Sequence, residues 1–180
     1  RSYSYKTKIL LCGTYNKEKL KELISNNISL MVFSLKNLRE ILNACKKTKL
    51  KANLHIKINT GMNRLGIKNV NYLIKMLEFI NMHNDYLNLE GVFSHLFNCD
   101  HASLCKTQYF KFIDYLNVIK EFYKFKGLDY SKLIVHIENS GGLFNHVDFM
   151  NVCSMCRIGI SLYGLEKYSE DLKPVLSLES

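Results

Sequence analysis

The sequence predicts a parallel α/β fold, specifically a partial (β/α)8 TIM barrel of about six strand-helix units that runs into the start of a C-terminal β domain. Three observations predict it. Short apolar runs that read as strands alternate with longer stretches whose apolar residues recur at helical spacing. A GxGxxG turn after the first strand, which a doubly wound open sheet would use to hold a phosphate, is missing. Polar and charged residues gather where the strands end, one or two per strand, as they do around a barrel rim.

The first strand is "KILLCGT", ending in Gly13, and "KEKLKELISN" follows with Leu20, Leu23 and Ile24 on one helical face. The pair then recurs. "ISLMVFS" reads as a strand, and "LKNLREILNAC" as a helix with Leu38, Ile41 and Leu42 aligned. "NLHIKINT" is the third strand, and Val70, Leu73, Ile74, Leu77 and Ile80 mark the next helix. "LEGVFSHL" precedes a long helix from Ser103 to Lys126, with a stripe of Tyr109, Phe112, Ile113, Leu116, Ile119 and Tyr123. "KLIVHIEN" and "CRIGI" read as the last two strands. No linker or low-complexity tract divides the chain. Pro174 lies where a new region begins, so residues 1–168 are expected to form an incomplete barrel and 169–180 the start of a β domain.

Composition narrows the function. A chain of 180 residues with 47% hydrophobic content can bury one sizeable core. Its 25 basic and 16 acidic residues give a net charge of +9, but the lysines are spread over nearly every segment and the aromatics fall on core stripes. That is a solvated surface and not a nucleic-acid platform. No apolar run reaches the ~20 residues a membrane span needs. The six cysteines sit in core-like surroundings in a chain large enough to fold without disulfides, so they are expected to be reduced. "CSMC", Cys153 to Cys156, has metal or redox spacing without a second pair, and no metal site is assigned. A cytoplasmic location is expected, and both ends read as cut.

The rim candidates are Lys57, Asn59 and Arg64, then His95, then Asn139 and Ser140, then Arg157. In a barrel they would converge on one mouth, as a small anionic, aromatic ligand would require. Each has a structural alternative. Lys57 is either an inward lysine that must be paired or altered, or one that snorkels outward. Arg64 is a solvated loop residue or a planar clamp for a carboxylate. His95 is a satisfied structural histidine or a neutral ring stacked on a ligand. Ser140, followed by Gly141 and Gly142, is an ordinary helix cap or a phosphate binder. Arg157 is a salt-bridged strand residue or part of a ligand site opened by Gly159.

Taken together, "HIKINTGMNRLGI", "LEGVFSHLFNCD", "HIENSGG" and "CRIGISLYGL" resemble, in order and spacing, the alanine racemase family of pyridoxal-phosphate enzymes over nearly the whole chain. The resemblance implies roles. Arg64 resembles the arginine that meets the substrate carboxylate and the catalytic tyrosine. Lys57 resembles the lysine that supports it, carbamylated in some members. His95 resembles the histidine lying against the cofactor ring. Ser140, Gly159 and Ile160 resemble the phosphate cradle, with Asn139 beside it. Arg157 resembles the arginine facing the pyridine nitrogen. Because arginine stays protonated, it discourages protonation of that nitrogen. Asn59 stands where an aspartate is more usual, and Asn63 where a glycine is.

The implied activity is interconversion of L- and D-alanine, supplying D-alanine for peptidoglycan, by a homodimer with shared active sites. A serine or broad-specificity racemase and a non-catalytic pyridoxal-phosphate-binding barrel are the alternatives. The family's two bases are a lysine early in the barrel and a tyrosine from the partner's β domain. No motif of the type "KANAYGHG" occurs, and Lys51-Ala52-Asn53 precedes the wrong strand. This stretch alone is therefore expected to be inactive.

Overall fold

The computed structural model describes residues 7–97, 99, 101–145 and 151–164. Its strands are β1 (Ile9–Leu11), β2 (Ile28–Val32), β3 (Ala52–Lys57), β4 (Leu87–Phe93) and β5 (Ile134–His136). Helices α1 (Leu20–Ser25), α2 (Leu35–Thr48), α3 (Val70–Met82) and α4 (Ala102–Lys126) connect them, and the short α5 (Ser140–Asn145) follows β5. All strand pairs are parallel, and their order in the sheet is the order in the chain, β1 to β5. An open doubly wound sheet reverses its strand order partway, and this one does not. The structure is half of an α/β barrel.

Local signals account for the boundaries. The Ser34 hydroxyl accepts the Asn37 N–H at 3.1 Å and so caps α2, and Asn69 does the same for α3 through the Tyr72 N–H at 3.0 Å. Helix α2 stops where Lys49 turns left-handed, at φ 57°, and α4 stops at Gly127, at φ 66°. Alternation along β3 then sorts the side chains. Leu54, Ile56 and Ile58 join a core with Leu38, Ile41, Leu73, Leu77, Phe112 and Ile119, all buried. His55 and Lys57 point to the opposite face, the barrel interior.

Strands β3 and β4 pair with a slip. Leu54 lies opposite Leu89, and His55 opposite Gly91, so Glu90 is an extra residue in β4. Such a bulge bends the strand and re-aims the side chain it inserts. Gly91 is required beside it, because a Cβ there would run into the His55 ring and the Ile134 carbonyl.

Five of the six expected strands form; "CRIGI" does not become the sixth. The 151–159 segment does run beside β5, with the Ser154 N–H bonded to the Val135 carbonyl at 2.8 Å and the Arg157 N–H to that of Glu138 at 3.0 Å. The Val135 N–H, however, is taken by the Ser154 hydroxyl at 2.7 Å in place of a backbone carbonyl. A side-chain acceptor satisfies the donor and interrupts the ladder. "CSMC" lies in this same segment and is likewise not a strand, and Cys153 and Cys156 are not joined in a disulfide. No helix among the described residues is long and apolar enough to cross a membrane. The expected boundary at residue 168 and the β segment 169–180 lie outside the described residues.

Candidate active site

The loop after β3 is built to hold a tip outward. The Asn59 side-chain oxygen accepts the N–H groups of Gly61 at 3.1 Å and Asn63 at 3.2 Å, and Asn63 is left-handed at φ 58°. The loop closes where Ile58 bridges Ile67. Gly66 permits that closure, since its φ is 126° and a Cβ would press on the backbone of Ile58 and Asn59. Arg64 sits exposed in this loop. Asn59 is therefore the residue that shapes the arginine loop.

Lys57 faces inward and is 7% exposed, which rules out the snorkelling alternative. Its ammonium lies 4.6 Å from the centroid of Phe93, an aromatic plate on β4. Burial foremost, then the charges of Arg157 and Arg64, pulls Lys57 down to about 7. At neutral pH much of it is free amine. His95, after β4, is pushed down to about 4 by burial, then by Arg157, Lys57 and Arg64, so it is a neutral imidazole.

Arg157 is the hub. Its guanidinium donates to the Ser94 carbonyl at 2.7 Å and to Nδ1 of His136, comes within 3.4 Å of His95 Nδ1, and lies 5.3 Å from the Phe93 ring centroid. Phe93 in turn stacks on His136 at 4.7 Å with the rings 7° from parallel. Nothing about Arg157 resembles a strand residue with a carboxylate partner. Its contacts are neutral acceptors and ring faces, and among the described residues no carboxylate is bonded to it.

Ser140 and Gly159 meet, with the Gly159 N–H donating to the Ser140 hydroxyl at 3.2 Å. The space where a Cβ would stand on Gly159 is open, and Ile160 beside it is exposed. Asn139 has a structural use: its amide donates to the Leu96 carbonyl at 3.0 Å, and its oxygen accepts the Gly142 N–H at 2.9 Å. The helix cap is therefore Asn139, which leaves Ser140 to tie the two loops together.

Lys57, His95 and Arg157 thus share one mouth, within reach of the Arg64 charge, and Ser140, Gly159 and Ile160 form a second cluster. Several neighbours are additional to the sequence reading. Phe93, His55 and His136 all line the interior, and of these His55 had a signal in the alternation His55, Lys57 along one face of β3. Cys12, after β1, feels the charges of Arg157 and Lys57, though burial outweighs them and raises its thiol.

Comparison with known proteins agrees with this geometry. Residues 1–167 match the family described as alanine racemase, N-terminal domain. An alanine racemase of Ligilactobacillus salivarius is 29% identical over 188 residues, covering 100% of this chain and 48% of the relative. One from Borreliella burgdorferi is 31% identical over 179 residues, covering 96% of this chain and 46% of the relative. Among solved structures, the alanine racemase of Bacillus anthracis with bound L-Ala-P superposes with a TM-score of 0.77 at 27% identity, covering 97% of this chain and 43% of that one. The alanine racemase of Clostridium difficile 630 gives 0.74 at 28%, covering 93% and 41%. The chain spans about half the length of the relatives it matches. With the half-barrel, the inward lysine and the arginine hub all in place, this chain belongs to the alanine racemase family.

Proposed function

We propose that this chain forms the cofactor-holding half of the barrel in a pyridoxal-phosphate-dependent racemase that interconverts L- and D-alanine. The observation that carries the reading is Arg157, a half-buried guanidinium with no carboxylate bonded to it among the described residues, facing a mouth shared with a neutral His95 and a half-neutralised Lys57. An anionic aromatic ligand fits such a mouth. The paired Ser140 and Gly159, with open space beside the glycine, suit a phosphate that needs a hydroxyl and close backbone approach.

Pyridoxal 5'-phosphate, when bound, supplies the electron withdrawal that acidifies the Cα–H of an attached amino acid. This chain's residues would bind and orient. Ser140, Gly159 and Ile160, with Asn139 fixing their loop, would hold the phosphate. Arg157, a permanent donor, would bond the ring nitrogen and keep it unprotonated. His95 would lie against the ring as a neutral plane. Arg64 would take the substrate carboxylate, supported by Lys57, whose free amine is also the form that reacts with carbon dioxide. Removing and returning the Cα proton needs a base on each face, and these are assigned to other segments of the whole protein. The same reading places the enzyme in the cytoplasm as a homodimer with shared sites, supplying D-alanine for peptidoglycan. The bound L-Ala-P of the Bacillus anthracis relative supports alanine as the amino acid.

The test is a titration of the protein with pyridoxal 5'-phosphate, followed by the change in cofactor absorbance. Saturable binding is expected, weakened about tenfold or more in Arg157→Ala and in Ser140→Ala, the loss typical of one hydrogen bond to a charged group. Non-saturating behaviour, or variants that bind like the wild type, would overturn the reading. In the whole protein, D-alanine formed from L-alanine faster than D-serine from L-serine supports alanine, and the reverse order supports the serine or broad-specificity alternative.

A further inference from the structure

A column of hydrogen-bonding side chains runs through the barrel interior below Arg157. Arg157 meets His136 Nδ1, His136 Nε2 lies 3.0 Å from His55 Nδ1, and His55 Nε2 lies 3.2 Å from the Glu90 carboxylate. Glu90 also accepts the Ser29 hydroxyl and the Lys8 ammonium, the latter at 2.9 Å. The two rings are walled off from solvent, His136 at 0% and His55 at 2% exposure.

The ends of the column determine every proton between them. A guanidinium has donors and no acceptor, so His136 must accept at Nδ1 and carry its proton on Nε2. That N–H faces His55 Nδ1, which must accept in its turn, so the His55 proton also sits on Nε2. It points at a carboxylate, which has acceptors and no donor. Shifting either proton to the other nitrogen would set two N–H groups against each other at one junction and two lone pairs at the next. Both imidazoles are held neutral, chiefly by burial, in keeping with this arrangement.

We propose that Glu90 is a positioning residue for Arg157, acting through a one-directional relay of His55 and His136. The proposal rests on reading Arg157 as the group that faces the cofactor ring. Two features of the backbone serve the relay. The β4 bulge inserts Glu90 as an extra residue, and Gly91 clears the space the His55 ring fills. The arrangement also has a chemical use. A carboxylate touching Arg157 would neutralise it, whereas a neutral imidazole fixes its orientation and leaves its charge directed at the rim. The counter-charge stands two rings away.

The test is nitrogen-15 NMR of the histidine side chains in the protein without cofactor, at neutral pH. The expected wild-type result is one tautomer, protonated on Nε2, for both His55 and His136. In Glu90→Ala the relay loses its terminal acceptor, and the Nδ1-protonated form of His136 should rise about tenfold or more, the response to a junction energy of one hydrogen bond. Glu90→Asp should restore the wild-type pattern in part. A wild-type His136 that is charged or protonated on Nδ1 would overturn the proposal without any variant. So would a Glu90→Ala spectrum in which His136 is unchanged. Failure to bind pyridoxal 5'-phosphate would remove the reading of the site while leaving these tautomers as found, so the two failures are distinguishable.

Discussion

Two glutamates mark opposite solutions to the same problem. Glu90 and Glu138 are both carboxyls held largely away from water, with 12% of the Glu90 side chain still exposed. For Glu90, burial alone would raise the carboxyl, but bonds from Lys8 and Ser29, together with His55, outweigh it and hold the group below the ordinary carboxylate range. Glu138 is fully buried, neither of its oxygens has a hydrogen-bond partner among the described residues, and burial pushes it up to about 7 against the charge of Arg157. Glu138 is the deeper of the two, but depth alone does not set the direction of the shift, since burial raises both. The partners supplied by neighbouring strands decide whether a buried carboxyl is an anchor or a liability.

The largest expected effect tests the liability. An unfolded Glu138 ionises near 4.5, while the folded one keeps its proton until about 7. Stability is therefore whole below 4.5, falls as pH rises between the two values, and is flat above. The difference corresponds to about 3 kcal/mol. Glu138→Gln cannot ionise, so its stability relative to wild type should climb through that window and level off near pH 7. Urea unfolding at a series of pH values would measure this, and a constant difference would show that Glu138 has found a partner.

An intermediate effect tests the anchor. Glu90→Ala leaves the His55 N–H and the Ser29 hydroxyl without their acceptor, and should cost about 2 kcal/mol in the same unfolding experiment at pH 7. A loss much smaller than this would mean that water takes the place of the carboxylate. The smallest effect belongs to the outer edge of the same cluster. Lys8 bonds Glu90 at 2.9 Å, but its side chain is 72% exposed. Lys8→Ala should cost only about 0.5 kcal/mol, and less still when salt is added.

These two residues also show how far the sequence could be read. The strands β1 to β5 and helices α1 to α4 were legible because their periods are clean, and Arg157 was legible because charge at a strand end stands out. Glu90 was not, since its aim depends on a bulge, and "LEGVF" carries no mark of one beyond Gly91. The polar character of Glu138 was visible, but its isolation follows from which residues of other elements surround it. "CRIGI" misled for a related reason. Its apolar alternation is that of a strand, and the ladder is broken by a serine hydroxyl three residues before Arg157. Pairing across 21 residues, as between His136 and Arg157, leaves no trace in local pattern.

The bulge in β4 has a consequence for how this chain tolerates change in length. A regular strand can lose a residue by sliding against its neighbours, at the cost of turning each later side chain over. Here the sheet already holds one residue too many at a chosen point. Deleting Glu90 would let β3 and β4 pair evenly, giving a more regular sheet in which Val92 and Phe93 keep their places and the column beneath Arg157 has lost its floor. Shortening by a single codon would leave the strand pairing regular while taking the acceptor from His55 and Ser29, and its effect would reach the arginine through the two rings.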